Sequence, residues 1–123
     1  MTRSIRLAGI VLTLAFASLI SEPALAAPHD GRWSVLVITE KGGCDQAYRY
    51  DVAVDDGKVS YAGREQVQFS GTVASGGAVK VTIRLGEQGA TGVGKLSGSS
   101  GSGTWKGTGN NGACAGRWEA EKR

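Results

Sequence analysis

Apolar and polar residues alternate along most of the chain beyond residue 30, which is the pattern of half-buried β-strands. From Tyr48 to Val54 the even positions are aromatic or aliphatic, and the odd positions are charged or small. The segment 79–85 alternates most regularly, with Lys, Thr and Arg between apolar residues. No segment beyond residue 30 shows a convincing helical period. The pattern therefore predicts an all-β domain.

These alternations and the turn residues between them predict eight strands, at 33–39, 48–54, 58–61, 67–73, 79–85, 90–96, 104–108 and 114–120. Because every connection is short, consecutive strands are expected to pair antiparallel in a meander. We predict closure into an eight-stranded antiparallel up-and-down barrel, which removes the sheet edges. A two-sheet β-sandwich made of the same strands is the alternative.

The stretch SGSSGSGTWKGTGNNGACAGRW, at 97–118, is rich in glycine and serine, yet it contains two tryptophans and a cysteine. A flexible linker has no reason to hold Trp105, Cys114 and Trp118 in strand phase. We therefore predict two strands here, each preceded by a loop. Their glycines would allow strong bending and leave room for the tryptophan rings across the sheet.

Both cysteines lie at the predicted seam of the barrel. Cys44 follows the first strand and Cys114 begins the last, and these two strands are antiparallel neighbours in an up-and-down barrel. A Cys44–Cys114 disulfide would pin the seam and contribute roughly 4 kcal/mol in the chain-entropy description. Two free thiols are the alternative. A metal site could add only His29, which lies near an N-terminus that we expect to be frayed.

The start of the chain has the pattern of a secretory signal peptide. Two arginines precede an apolar run at 7–20, and Pro23 then breaks the helix. Ala24 and Ala26 supply the small residues that a signal peptidase needs, so we predict cleavage between Ala26 and Ala27. A membrane anchor is the alternative, but the run of about 14 residues is shorter than the roughly 20 that span a bilayer.

Cleavage would remove the signal peptide, 1–26, and leave a single domain at 27–123. The formal charge would fall from +3 to +2, because Arg3, Arg6 and Glu22 are removed. We expect this domain to be soluble, monomeric and located in the periplasm or outside the cell, without a membrane span. Its charges of both signs are interspersed, without a basic stripe carrying aromatic residues, so we expect no nucleic-acid partner.

Candidates for nucleotide or catalytic chemistry are few. The segment GATGVGKL at 89–96 misses the phosphate-binding loop pattern, since Leu96 replaces the magnesium-binding hydroxyl and no helix follows. A Ser–His pair would have to use His29. Asp55 and Asp56 occupy a predicted hairpin turn, and no pair of acids flanks a cleft. We predict a non-enzymatic protein without a cofactor.

Three Gly-x-Trp motifs occur, at 31–33, 103–105 and 116–118. The first resembles the motif that opens the first strand of calycin-type barrels, such as lipocalins and avidin-like proteins. The resemblance implies a calycin-like barrel, in which a basic residue of the last strand packs near Trp33. Arg117 or Arg123 would be that residue.

The mature chain also resembles a set of small exported proteins of alphaproteobacteria without established function. The segments GRWSVLVITEKG, AYRY, VSYAG, SGSGTW and GACAGRWEAE carry this resemblance. Such proteins are sometimes labelled as haem utilisation or adhesion proteins. Haem iron needs an axial His, Cys, Met or Tyr. Once His29, Met1 and the paired cysteines are set aside, only tyrosines that we expect to face the core remain, which disfavours haem.

Seven aromatic residues are expected to face the barrel interior: Trp33, Tyr48, Tyr50, Tyr61, Phe69, Trp105 and Trp118. They could fill a narrow barrel completely, because an eight-stranded interior is just wide enough for side chains. They could instead contact a ligand, and the glycines of the sixth and seventh strands are the one indication of empty space. The sequence leaves both interpretations open.

We expect a binding module that acts on another protein of the cell envelope, as an inhibitor or accessory factor. Its surface would be the rim loops, defined as 40–46 and 107–113, which the disulfide would stiffen. The alternatives are a small-molecule carrier with an interior pocket and a structural protein involved in surface adhesion. Fold alone does not choose among these functions.

Overall fold

A computed structural model describes residues 28–64, 66–110 and 112–123. The predicted signal peptide and the predicted cut between Ala26 and Ala27 lie outside the described residues. The strands are β1 (Gly31–Lys41), β2 (Ala47–Asp55), β3 (Lys58–Tyr61), β4 (Gln68–Val73), β5 (Ala78–Leu85), β6 (Gln88–Ser97), β7 (Ser100–Gly109) and β8 (Gly112–Lys122). No helix in these ranges is long and apolar enough to cross a membrane.

Each strand pairs antiparallel with the next, and β8 pairs with β1, so the sheet closes into a barrel. This confirms the up-and-down barrel and excludes the two-sheet sandwich. Paired residues can be followed from Gly31 through all eight strands to Thr39, so one circuit advances the register by eight residues along β1. An eight-stranded barrel is narrow, and the size of its inward side chains decides whether space remains inside.

The predicted seventh strand, 104–108, was too short. β7 begins at Ser100, and Gly101 and Gly103 pair with residues of both neighbouring strands. Serine or threonine and glycine alternate here, with the hydroxyl residues exposed and the glycines half-buried. The segment is therefore a strand whose inward residues lack side chains, and not the loop that its composition indicated.

Glycines of β6 to β8 make room for two tryptophan rings, as expected from the sequence. Gly94 and Gly103 face each other across β6 and β7. A Cβ added at Gly94 would lie 2.4 Å from the Trp118 ring, and one at Gly103 would lie 2.6 Å from it. Likewise, a Cβ at Gly116 would lie 2.9 Å from Nε1 of Trp105. The two rings therefore lie against a wall of bare backbone.

One half of the barrel is filled by packed side chains. Trp33 is 1% exposed and is the largest fully buried side chain of the described residues. Valines and small or aliphatic residues from the surrounding strands pack with it: Val52, Val54, Val59, Val73, Val79, Leu96 and Ala120. We call this half of the barrel, with the β2–β3, β4–β5 and β6–β7 turns, the closed end.

Residues preceding β1 cover the closed end. The backbone carbonyl of His29 accepts a hydrogen bond from Nε1 of Trp33, 2.9 Å away. The Asp30 carboxylate accepts hydrogen bonds from the backbone N–H groups of Asp56 and Gly57 in the β2–β3 turn, at 2.8 and 3.2 Å. His29 is only 9% exposed. The expectation of a frayed end at His29 was therefore wrong, because hydrogen bonds on both sides anchor this segment.

The Cys44–Cys114 disulfide joins the β1–β2 loop to the start of β8 and confirms the predicted pairing. The backbone N–H of Cys44 also donates to Sγ of Cys114, at 3.2 Å. The bridge therefore fixes the β1–β2 loop at the end of the barrel opposite Trp33. We call that opposite end the open end.

Candidate ligand-binding cavity

A cavity of about 320 Å³ occupies the barrel interior between Trp33 and the open end. Its floor is the packed side chains of the closed end. Its mouth lies among residues that reach solvent: Asp45 and Asn110 are exposed, and Leu85 is 50% exposed. The interior is therefore filled at one end and hollow at the other, so the aromatic residues do not fill the barrel completely.

The hollow half depends on missing side chains. The row of paired residues that crosses the middle of the barrel contains Gly71, Gly92 and Gly116. A Cβ at Gly71 or Gly116 would lie 2.3 or 1.9 Å from a backbone oxygen, so close strand packing requires glycine there. A Cβ at Gly92 would meet its nearest atom at 3.6 Å, an ordinary contact. Gly92 lines the cavity, and its bare backbone keeps space open.

Aromatic rings from β2, β3 and β4 form one side of the interior. Tyr50 lies 6.1 Å from Tyr48 in a stacked arrangement and 5.2 Å from Phe69 in an edge arrangement. Tyr61 stacks on Phe69 at 5.4 Å and contacts Tyr50 edge-on at 6.0 Å. Of these four, only Tyr61 does not line the cavity. Its ring packs face to face against the ring of Phe69.

The three tryptophans turn apolar surface toward the cavity. Each indole N–H donates to a backbone carbonyl: Trp33 to His29, Trp105 to Ile38 at 2.9 Å, and Trp118 to Val93 at 3.2 Å. Because buried indole N–H groups need such partners, these bonds fix the ring orientations. They also leave no indole donor for a ligand, which would meet only ring faces and edges.

Polar side chains gather at the mouth. Thr39 Oγ1 donates to the backbone carbonyl of Asp45 at 2.6 Å. Gln88 donates through its side-chain amide to Asn110, joining the neighbouring β5–β6 and β7–β8 turns on one side of the mouth. Partial burial, together with a hydrogen bond to the Asp45 carboxylate, raises the pKa of the Tyr48 phenol. The mouth therefore combines hydrogen-bonded polar groups with the exposed Leu85, above an apolar interior.

Six of the seven predicted aromatic residues line the cavity, and Tyr61 is the exception. Trp33 and Trp118 are buried, whereas Tyr48 and Trp105 are half-buried. The aromatic set thus both fills the closed end and borders the cavity. The predicted rim loop 40–46 includes Asp45, but sequence reasoning did not identify Asp45 as a residue that lines the interior cavity. The up-and-down order, which places alternate turns at one end, was the signal that could have found it.

The basic residue near Trp33 is neither of the two that the Gly-x-Trp resemblance suggested. Lys122 Nζ lies 5.9 Å from the centre of the Trp33 ring. Gly31 allows this approach, since an added Cβ would lie 2.9 Å from Cε of Lys122. Arg117 and Arg123 instead pair with acidic side chains on the outer surface. The expectation for those two residues was therefore wrong.

Within residues 28–64, 66–110 and 112–123, no three His, Cys, Asp or Glu side chains lie close enough together to hold a metal ion. Comparison of the chain with protein-family models, with curated proteins and with solved structures finds no match. Function must therefore be argued from the cavity itself.

Proposed function

We propose that the protein is a non-enzymatic binding module that holds a small, mostly apolar molecule inside its barrel. The observation that carries this proposal is the cavity of about 320 Å³ that opens at one end. Cavities that bind small molecules start at about 300 Å³ and are mostly apolar with a few polar groups. The apolar interior and the polar mouth have this composition.

Gly92 supports the proposal, because no close contact requires a glycine at this position. An added Cβ would make only ordinary contacts, so a larger residue could fill part of the cavity. Filling a cavity with apolar atoms commonly stabilises a protein. A glycine at this position lowers packing and leaves room, which is expected where a ligand occupies the interior.

Export is part of the same proposal. The predicted signal peptide at 1–26 and the Cys44–Cys114 disulfide both fit an oxidising compartment. We propose that the protein acts in the periplasm or outside the cell. There it would collect or carry its ligand as a single domain.

The test is a matched pair of glycine substitutions. The full chain is expressed for export, purified with its disulfide intact, and titrated with the neutral fluorescent probe N-phenyl-1-naphthylamine. Gly92→Leu places a side chain in the cavity, and we expect it to weaken binding at least tenfold without loss of stability. Gly76→Leu is the control, since a Cβ there meets no atom within 4 Å.

Two results would contradict the proposal. One is the absence of saturable probe binding by the wild-type protein. The other is a Gly92→Leu variant that keeps full affinity while its unfolding midpoint matches the wild type.

A second candidate is binding of an envelope protein through the rim loops. The disulfide supports it, because it joins the first rim loop to the strand residues that directly follow the second. The Gln88–Asn110 hydrogen bond ties the second rim loop to the start of β6. A Cβ at Gly109 would lie 2.8 Å from Cys44 Sγ, so the loops pack closely. Affinity capture from an envelope extract tests this candidate, with reduced and alkylated protein as the control. A saturable protein partner that is lost on reduction would favour it over the cavity.

A further inference from the structure

The cavity divides into an apolar interior and a polar mouth, and the division orients any ligand. Valine, leucine, isoleucine and aromatic side chains surround the interior, and the indole N–H groups are already bonded to backbone carbonyls. A polar group placed deep inside would lose its hydrogen bonds to water and find few partners. The apolar body of a ligand therefore enters first, and its polar end stays at the mouth.

Among the described residues that line the cavity, Asp45 is the only acidic or basic residue. Its position is fixed by the neighbouring disulfide, by the hydrogen bond from Thr39 to its carbonyl and by the Tyr48 phenol at its carboxylate. Lys41 ends β1 and Arg64 lies in the β3–β4 loop, both at the open end of the barrel, but neither residue lines the cavity. Among the described lining side chains, the polar end of a bound ligand therefore meets one carboxylate and no basic group.

Tyr48 contacts this carboxylate, and the rings of Tyr50 and Phe69 line the same cavity. Tyr48 is half-buried at the mouth and stacks with Tyr50, and Phe69 contacts Tyr50 from the side. The faces of such rings attract ammonium groups, and most strongly when the groups are partly removed from water. A carboxylate beside stacked phenol rings is the chemistry that recognises an alkylated or primary amine.

We propose that the ligand is a cationic amphiphile, an apolar body that ends in an amine or quaternary ammonium group. Its apolar body fills the cavity, and its cation lies at the mouth between the Asp45 carboxylate and the Tyr48 ring. This inference rests on the proposed function, because it assigns the ligand class of the same cavity. We expect a fatty acid with an apolar chain of similar length to bind more weakly, because its carboxylate would lie next to the Asp45 carboxylate.

The test compares three probes that share one apolar chain: octyltrimethylammonium, octanol and octanoate. Each is titrated into the exported full chain at pH 7 and low salt, below the concentration at which it aggregates. We expect affinity to fall in that order, with at least a tenfold difference between the cation and the anion. Added salt should reduce this difference, because the mouth is open to solvent.

Asp45→Asn removes the charge and keeps the shape of the side chain. We expect it to weaken octyltrimethylammonium binding about tenfold, to leave octanol unchanged and to strengthen octanoate. Asp55→Asn is the matched control, since it makes the same change in net charge at an exposed position of the closed end. It should leave all three affinities unchanged.

The outcomes separate this inference from the function on which it rests. If none of the three probes binds, both the cavity function and the ligand class are overturned. If all three bind equally and Asp45→Asn changes nothing, the barrel binds apolar molecules but the cation assignment is overturned. Tighter binding of octanoate than of the cation overturns it as well.

Discussion

The two ends of the barrel are made from the same eight strands and the same alternation, yet one is packed and the other hollow. At the closed end, Trp33 and a group of valines meet across the barrel axis and exclude solvent. Toward the open end, the inward positions of β6 include Ala90 and Gly92, and the cavity begins. Alternation therefore determines that a barrel forms, and the volume of the inward residues determines where it is filled.

The difference is largest in the burial of the tryptophans. Trp33 is 1% exposed at the closed end, whereas Trp105 is half-buried beside the cavity. Trp33→Ala should lower the free energy of unfolding by about 3–5 kcal/mol, because truncation leaves a void inside a packed core. Trp105→Ala should cost clearly less, because it enlarges a space that already reaches solvent. Urea denaturation of both variants measures the difference, and equal losses would show that the two ends are equally well packed.

The disulfide stabilises the open end, where the packed core contributes least. Replacing both Cys44 and Cys114 by serine should lower the free energy of unfolding by about 2–4 kcal/mol, since the bridge closes a loop with a sequence separation of 70. Hydrogen exchange should then rise first in the β1–β2 loop and last around Trp33. The wild type treated with a reductant is the control. Unchanged exchange in the β1–β2 loop would mean that the β1–β8 pairing alone holds the seam.

Alternation in the sequence was sufficient to predict most of the barrel. It placed the limits of β2 within one residue at each end. The positions of Cys44 and Cys114 in the sequence correctly identified the seam between the first and last strands. It failed in β7, where the inward residues are mostly glycine and carry no hydrophobic signal. Periodicity depends on side chains, so a strand that faces inward with bare backbone resembles a loop.

The cavity was harder to predict, because it depends on where rings lie after folding. Gly92 and Gly103 are both inward-facing glycines, and the sequence offers no way to tell them apart. The ring of Trp118, from another strand, covers Gly103 and leaves Gly92 beside open space. His29 shows the same limit, since its burial follows from a bond to Trp33 that no local pattern indicates.

Adding a single methyl group at each position should distinguish Gly92 from Gly103. Gly103→Ala should cost about 1–3 kcal/mol through overpacking, because the new Cβ would lie 2.0 Å from the Val93 carbonyl oxygen. Gly92→Ala should stabilise the protein by a few tenths of a kcal/mol, by restricting the unfolded chain. Thermal unfolding of the two variants checks this. Similar losses at both sites would mean that the wall next to the cavity is as tightly packed as the wall under Trp118.

A smaller loss of stability is expected when the hydrogen bonds of Asp30, which precedes β1 and covers the closed end, are removed. Asp30→Ala removes the acceptor for the N–H groups of Asp56 and Gly57 and should cost about 1 kcal/mol. Asp55→Ala is the control, since it removes an exposed carboxylate next to the same turn. Chemical denaturation should place this control within about 0.5 kcal/mol of the wild type. A loss in the control as large as that in Asp30→Ala would show that turn propensity, and not the cover, stabilises this end.

The smallest expected effect is a change in the pKa of Tyr48 at the mouth of the cavity. Tyr48 has a raised pKa because it is partly buried and bonded to the Asp45 carboxylate, so folding favours the neutral phenol. The resulting stabilisation is present below the ordinary pKa of tyrosine and is lost as the pH rises through the raised pKa of Tyr48. Asp45→Asn should lower the pKa of Tyr48 toward its ordinary value, as followed by the NMR signal of the labelled phenol carbon. Asp55→Asn should leave the titration unchanged. An unaltered Tyr48 titration in Asp45→Asn would show that burial alone holds the phenol neutral, and that the carboxylate exerts little field on the mouth where a cation is proposed to bind.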